Sequence, residues 1–327
     1  MKLCTFEVKT VLGRFRRLGA LTGDGIVDLN SAAGWLHARE GAAQPESLAA
    51  ATLPAAMLAF LQGGDRTSEA ARNALAAVQS ELRAGRTLKG PNDERILFDP
   101  AEVRLLSPIP NPPSLRDFYA FEEHVKAGFA RRGMEVPAQW YEMPVYYKSG
   151  HHNIIGTEED VHWPSFTQKF DYELEIAAVI GRKGRNIAAA DAMSHIAGFT
   201  VMNDFSARDI QKKEMAVQLG PAKGKDWCTA LGPVLVTPDE IGDLYNLTMT
   251  ARVNGEQWSQ GNTGSIFHRF EKMIEFLTLD DTIHPGDVIG SGTVGTGCGL
   301  EIDRWVKRGD LIELEIERIG VLRNRVV

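Results

Sequence analysis

Short stretches of alternating apolar and polar residues open the chain. Within the alternating stretches Leu3–Val8 and Arg17–Leu21, Phe6 and Val8, and Leu18 and Ala20, stand two apart, the period that a half-buried strand requires. Gly23-Asp24-Gly25 reads as a hairpin turn before Ile26-Val27-Asp28-Leu29. The period changes over residues 53–84, where Leu58, Leu61, Leu75, Val78 and Leu82 recur at three- and four-residue steps, predicting helix. Residues 93–106 read as strand. Four prolines in Pro108-Ile109-Pro110-Asn111-Pro112-Pro113 then impose a stiff, extended segment. The domain boundary is expected just before this run, giving a small N-terminal α+β domain (1–105) and a larger domain (106–327).

The second part is strand-rich. Strands are predicted at 172–180, 198–201, 233–236, 247–253, 287–289, 300–302 and 311–319. Asn254-Gly255, Pro285-Gly286-Asp287 and Arg308-Gly309-Asp310 separate several of them. Helices are predicted at 117–132, 188–195, 206–218 and 266–277. This order lacks the regular strand–helix alternation of a doubly wound sheet. A mixed, β-dominated α+β fold is the expectation.

Composition narrows the function. The 327 residues carry 36 Lys+Arg against 43 Asp+Glu, a net charge of −7, and no basic stripe of the kind that binds nucleic acid. With 43% hydrophobic and 24% charged residues the chain is an ordinary globular protein rather than a disordered one. No window approaches the roughly 18 apolar residues of a membrane span, and Glu7, Lys9, Arg14 and Arg16 interrupt the N-terminus where a signal peptide would be apolar. A cytoplasmic protein is expected. Cys4, Cys228 and Cys298 are odd in number and far apart, so they read as reduced, buried thiols rather than a disulfide framework or zinc knuckle.

Three acidic segments carry the candidate chemistry. In Asp171-Tyr172-Glu173-Leu174-Glu175-Ile176, a strand would place Glu173 and Glu175 on one face, at the mouth of the apolar run 176–180. Two such carboxylates repel and lose hydration, which a divalent cation relieves; a solvated edge strand is the competing reading. In Asn203-Asp204-Phe205-Ser206-Ala207-Arg208, a strand runs into a helix start. Asp204, Arg208 and Gln211 would then share one helical face, either as a capped surface ion pair or as a metal ligand beside anion-binding groups. In Asp117-Phe118-Tyr119-Ala120-Phe121-Glu122-Glu123-His124, a helix would put Asp117 and His124 two turns apart on one stripe. Gly290-Ser291-Gly292-Thr293-Val294-Gly295 has the spacing of a dinucleotide loop but no helix after it. Its glycines suit close approach to a small ligand instead. His151, His152 and His162 form no zinc-type pair.

Taken in order, RDFYAFEEH, DYELEIAAVIG, MNDFSARDIQ, LGPAKGKDW, GSGT and GDLIELEIERIG resemble the fumarylacetoacetate hydrolase family from about residue 105 to the C-terminus. The resemblance implies a mixed β-sandwich or roll catalytic domain and a homodimer. It further implies one divalent cation held by Asp117, Glu173, Glu175 and Asp204; a hard-oxygen set of this kind suits Mg²⁺, Ca²⁺ or Mn²⁺ rather than zinc. His124 falls on the family's general base, and Glu301 on the acid that orients it, although the loop between Thr293 and Glu301 is shorter here. Arg208, Gln211 and Lys225 fall on groups that stabilise developing negative charge or protonate the leaving carbanion, and Tyr119, Tyr147 and Thr293 on substrate contacts. The activity so implied is hydrolytic C–C cleavage of a small anionic 1,3-diketo acid in aromatic-compound catabolism. The alternative is isomerisation, hydration or decarboxylation of a 2-keto acid through a metal-bound enolate. The 126–146 and 212–224 segments would read the rest of the substrate, with Arg131 and Arg132, between Gly128 and Gly133, as a basic lid.

Overall fold

The computed structural model describes residues 1–327. Its centre is a twelve-stranded sheet. The path across it runs Leu97–Phe98, Gly25–Asp28, Gly13–Thr22, Lys2–Thr10, Thr229–Val236, Ile196–Asp204, Leu174–Ile180, Val288–Gly290, Leu115–Phe118, Tyr146–Ser149. Neighbours on this path are antiparallel, except that Val288–Gly290 lies parallel to Leu115–Phe118. A second, antiparallel sheet has the order Glu256–Asn262, Thr248–Val253, Leu311–Ile316, Gly320–Arg325. The architecture is a β-dominated α+β fold. The sheet crosses the boundary expected at 105/106: Lys2 and Leu3 pair with Val236 and Leu235. No helix is long and apolar enough to cross a membrane.

Strand periodicity explains how this sheet is buried on both faces. In Leu174–Ile180 the even positions Leu174, Ile176, Ala178 and Ile180 enter one core with Phe199, Phe270, Met249 and Leu314. The odd positions Ala177 and Val179 enter the other, with Leu3, Leu18, Leu231 and the helical residues Leu29, Phe60, Ala71 and Val78. Burial on both faces requires the near-continuous apolar run seen here. Glu175 shares the parity of Ala177, so its carboxylate is carried indoors by register alone.

Several local expectations change. The helical stretch 53–84 is divided into Met57–Gln62 and Asp65–Arg83, because Gly64 takes a positive φ of 62°. Residues 93–106 hold only the two-residue strands Leu97–Phe98 and Arg104–Leu105, parted by the Pro100–Glu102 turn. The helix expected from 117 begins at Glu122 and ends at Ala130; Asp117 belongs instead to Leu115–Phe118, where pairing with two other strands overrides local propensity. Asp204 ends the strand Ile196–Asp204 and the helix starts at Arg208, so no helical face carries Asp204, Arg208 and Gln211 together. Residues 300–302 form a helical turn, Gly299–Ile302, not a strand. The turn at Asn254-Gly255 is as expected, with φ of 52° and 80° joining Thr248–Val253 to Glu256–Asn262.

Candidate active site

Three strands bring four carboxylates to one buried point. Asp117 lies in Leu115–Phe118, Glu173 just before Leu174–Ile180, Glu175 within that strand, and Asp204 at the end of Ile196–Asp204. One carboxylate oxygen from each lies within 4.8 Å of the others, and all four residues are buried. The Gly292 N–H faces two of them, 3.0 Å from Oε2 of Glu175 and 3.2 Å from Oδ1 of Asp117. Gly292 has φ +77°, and a Cβ there would stand 2.4 Å from the carbonyl oxygen of Phe118; only glycine fits.

Cations hold one side of this cluster. Lys225 Nζ donates to Oε2 of Glu173 at 2.7 Å and to Oδ2 of Asp204 at 2.5 Å. Arg208 Nη1 stands 2.7 Å from Oε1 of Glu173 and donates to Gln211 Oε1 at 3.1 Å. Burial works against the Glu173 carboxylate, yet Lys225, Arg208 and His124 outweigh it and hold Glu173 well below the usual carboxylate range. Asp117 and Glu175 lack such partners. Burial, followed by their acidic neighbours, pushes both well above that range. Burial also raises Asp204, against the pull of Lys225. Tyr147 donates its hydroxyl to Oδ2 of Asp204 at 2.5 Å.

The donor set fits a divalent cation. Oε1 of Glu175 and Oδ1 of Asp204 are buried without a hydrogen-bond partner, a costly state for carboxylate oxygens. All four donors are hard oxygens, with no thiolate or imidazole among them, which is the chemistry of Mg²⁺, Mn²⁺ or Ca²⁺ sites.

His124 borders the cluster, on the helix Glu122–Ala130. Its Nδ1 stands 3.1 Å from Oε1 of Glu301, with the ring turned so that no aligned hydrogen bond forms. Catalytic contacts of this kind commonly tighten only around substrate. Tyr119 packs edge-on to the imidazole, ring centres 5.2 Å apart, and burial pushes its phenol up to about 12. The Thr293 hydroxyl is buried and unpartnered. Glu122 and Glu123, the nearby acids in sequence, do not take the place of Glu301: Glu122 pairs with Lys126 at 2.9 Å. Arg131 Nη2 donates to the carbonyl oxygen of Glu301 at 3.2 Å, so the basic segment already touches this corner.

Two residues outside the expected set organise the site. The fully buried Asp171 carboxylate accepts Arg208 Nε at 2.7 Å and the backbone N–H groups of Gly299 and Leu300 at 2.8 and 3.0 Å. It thereby ties Arg208 to the turn that carries Glu301. Cys298, also fully buried, places Sγ 3.6 Å from Oε2 of Glu301. Asp171 heads the acidic strand segment, and that position is its only sequence signal; Cys298 gives none.

Comparisons with known proteins place the chain in a family. The model of the fumarylacetoacetate (FAA) hydrolase C-terminal family matches residues 114–327. The chain is 34% identical over 329 residues to the Homo sapiens protein named oxaloacetate tautomerase FAHD2A, mitochondrial, covering 100% of this chain and 92% of that one. It is 31% identical over 283 residues to oxaloacetate tautomerase YisK of Bacillus subtilis, covering 84% and 87%. A solved 5-carboxymethyl-2-hydroxymuconate delta-isomerase from Mycobacterium smegmatis superposes with a TM-score of 0.66 at 25% identity, over 100% of this chain and 99% of that one.

Proposed function

This chain belongs to the fumarylacetoacetate hydrolase family, and we propose that it interconverts the keto and enol forms of a small dicarboxylic 2-oxo acid, oxaloacetate being the first candidate. The observation that carries the reading is the His124–Glu301 pair, 3.1 Å apart, set beside the four-carboxylate cluster. The names of the relatives matched along most or all of the chain support tautomerisation. C–C hydrolysis, ranked first on sequence alone, therefore becomes the second reading.

Asp117, Glu173, Glu175 and Asp204 would hold one divalent cation, Mg²⁺ or Mn²⁺ by donor chemistry, which when bound polarises the 2-oxo group and acidifies the neighbouring C–H. Once the ring turns to direct Nδ1–H at Glu301, 3.1 Å away, the imidazole of His124 keeps its lone pair on Nε2, where it can take the C3 proton. The same nitrogen then carries the proton and can return it to the enol oxygen or to carbon. Arg208 and Lys225 stay cationic because their carboxylate partners outweigh burial, and so offset the negative charge of a bound dianion. Gln211 is held by Arg208. Tyr119, Tyr147 and Thr293 would line the substrate, with 126–146 and 212–224 reading its distal end. A homodimer, with residues 1–105 as a small N-terminal domain beside the catalytic part, completes the proposal.

The second reading uses the same pair differently: His124 would deprotonate water for attack on a 1,3-diketo acid. It is favoured by the segment Arg116–His124, in which the first acid precedes the histidine by seven residues. One assay separates the two. The enol absorbance of oxaloacetate and of an acylpyruvate panel is followed with Mg²⁺ or Mn²⁺, with EDTA, and with His124→Ala, while acid products are counted. Tautomerisation predicts accelerated loss of oxaloacetate enol without new acid, suppressed by EDTA and slowed about 10²–10⁴-fold in His124→Ala. Stoichiometric acid release from an acylpyruvate, with oxaloacetate unaffected, would replace it by the hydrolase reading.

A further inference from the structure

We propose that His124, Cys298 and Glu301 form a second metal site, selective for a thiophilic divalent ion such as Zn²⁺ or Cd²⁺, whose occupation switches the enzyme off. Their side-chain ligand atoms all lie within 4.8 Å of one another. Nδ1 of His124 is 3.1 Å from Oε1 of Glu301, and Sγ of Cys298 is 3.6 Å from Oε2 of the same carboxylate. Ligands at 2.0–2.3 Å around a tetrahedral zinc stand roughly 3.3–3.8 Å apart, close to the two distances to the Glu301 oxygens, and the 4.8 Å bound on the remaining pair leaves about 1 Å to be closed on binding.

The site is enclosed. Cys298 is fully buried, and the side chains of His124 and Glu301 are 11% and 5% exposed. Nδ1 of His124, buried among these groups, has no aligned hydrogen-bond partner. The ligands are also braced from behind. Cys298 bridges Glu173 in a one-residue ladder, and the next two N–H groups are fixed on Asp171. A nitrogen, a sulfur and an oxygen with one position left open is the donor set of zinc, whereas the neighbouring all-carboxylate cluster is chosen for harder ions. Two sites of different softness thus adjoin.

Occupation has a defined chemical consequence. The ion takes the Cys298 sulfur as thiolate, releasing one proton to solvent, and takes the Nδ1 lone pair of His124. The remaining ring proton must then sit on Nε2, and that nitrogen can no longer accept a proton. This last step rests on the base role proposed for His124; ion binding itself does not.

The test uses the full chain with Mg²⁺ in excess, so that the carboxylate cluster is not the site being titrated. Cd²⁺ is added while thiolate-to-metal charge-transfer absorption is recorded, and Zn²⁺ inhibition of enol turnover is measured in parallel. One Cd²⁺ per chain is expected, with the band absent in Cys298→Ala although Cys4 and Cys228 remain. His124→Ala, a separate check on folding and ligation, should weaken Cd²⁺ binding more than tenfold. Measured against its own metal-free turnover, Cys298→Ala should raise the half-inhibiting Zn²⁺ concentration by more than about 100-fold, above the 10–100-fold that loss of an outer partner costs. A band that persists in Cys298→Ala, or no band in the parent, would overturn the site. Full turnover with the site saturated by Cd²⁺ would instead overturn the switch, and with it the base role of His124.

Discussion

Replacing Asp171 by Asn should be among the most damaging single-atom changes in the chain. Oδ1 of Asp171 accepts the N–H groups of Tyr172 at 3.0 Å and Gly299 at 2.8 Å. Oδ2 accepts Leu300 N–H at 3.0 Å and Arg208 Nε at 2.7 Å, with Arg208 Nη2 also at 2.7 Å. Every neighbour is a donor. An Asn amide nitrogen accepts nothing, so either amide orientation sets an NH₂ against at least two N–H groups. A buried donor left unmade costs about 1–3 kcal/mol, and one partner lost from a buried ion pair about 3–5 kcal/mol. Arg208 keeps Glu173 at 2.7 Å, which places the expected loss near the lower end, roughly 3–4 kcal/mol. Against the roughly 5–15 kcal/mol of a typical fold, that is a large shift of the urea midpoint at unchanged slope. Turnover should fall as well, because the Gly299 and Leu300 N–H groups position the turn that carries Glu301. Asp280→Asn is the control: its carboxylate is 88% exposed and pairs with Arg185 at 3.1 Å, a surface bridge worth about 0–1 kcal/mol. If Asp171→Asn unfolded within 1 kcal/mol of the parent, like Asp280→Asn, the argument from donor count would be wrong.

Two further outcomes follow from the same geometry. Gly292→Ala must leave its φ of +77° or push against the Phe118 carbonyl, moving the N–H that faces Glu175 and Asp117. Calorimetric Mn²⁺ affinity should fall about 10–100-fold, as for loss of a partner that orients a ligand; unchanged affinity would remove the Gly292 N–H from the account. Burial, then the nearby Asp28 charge, pushes the Cys4 thiol from 9.0 up to about 12, so the native thiol stays neutral where the unfolded chain ionises. Stability from this group is complete below about pH 9 and declines as pH rises toward 12, by at most about 1.4 kcal/mol per pH unit. Urea midpoints between pH 8 and 11 should therefore fall less steeply in Cys4→Ala than in the parent, and parallel curves would refute the assignment.

What could be read from the sequence was what depends on neighbours in the chain. The period-two runs give the Lys2–Thr10 and Leu174–Ile180 strands, and Asn254-Gly255 gives its hairpin, because side-chain parity and turn conformation are local properties. The acidic segments were visible as segments, but their geometry was misjudged where pairing across the sheet decides it. Asp117 was placed on a helix two turns below His124; it lies in a strand that borrows its partners from Val288–Gly290 and Tyr146–Ser149. The seven-residue spacing therefore measures the span from a strand to the first turn of the next helix, not a helical repeat. Leu300-Glu301-Ile302 alternates like a strand over three residues, too few to separate the two periods, and a helical turn anchored on Asp171 wins. Asp171 and Cys298 were invisible as site residues for the same reason. Asp171 meets Arg208 and Gly299 from 37 and 128 positions away, and Cys298 is set beside the cluster by its bridge to the distant Glu173. The cation ligands and the His124–Glu301 pair thus belong to two constructions, strand ends for one and helix starts for the other. The two are held by different elements, so neither the acidic segments nor the segment of His124 by itself separates hydrolysis from keto–enol isomerisation.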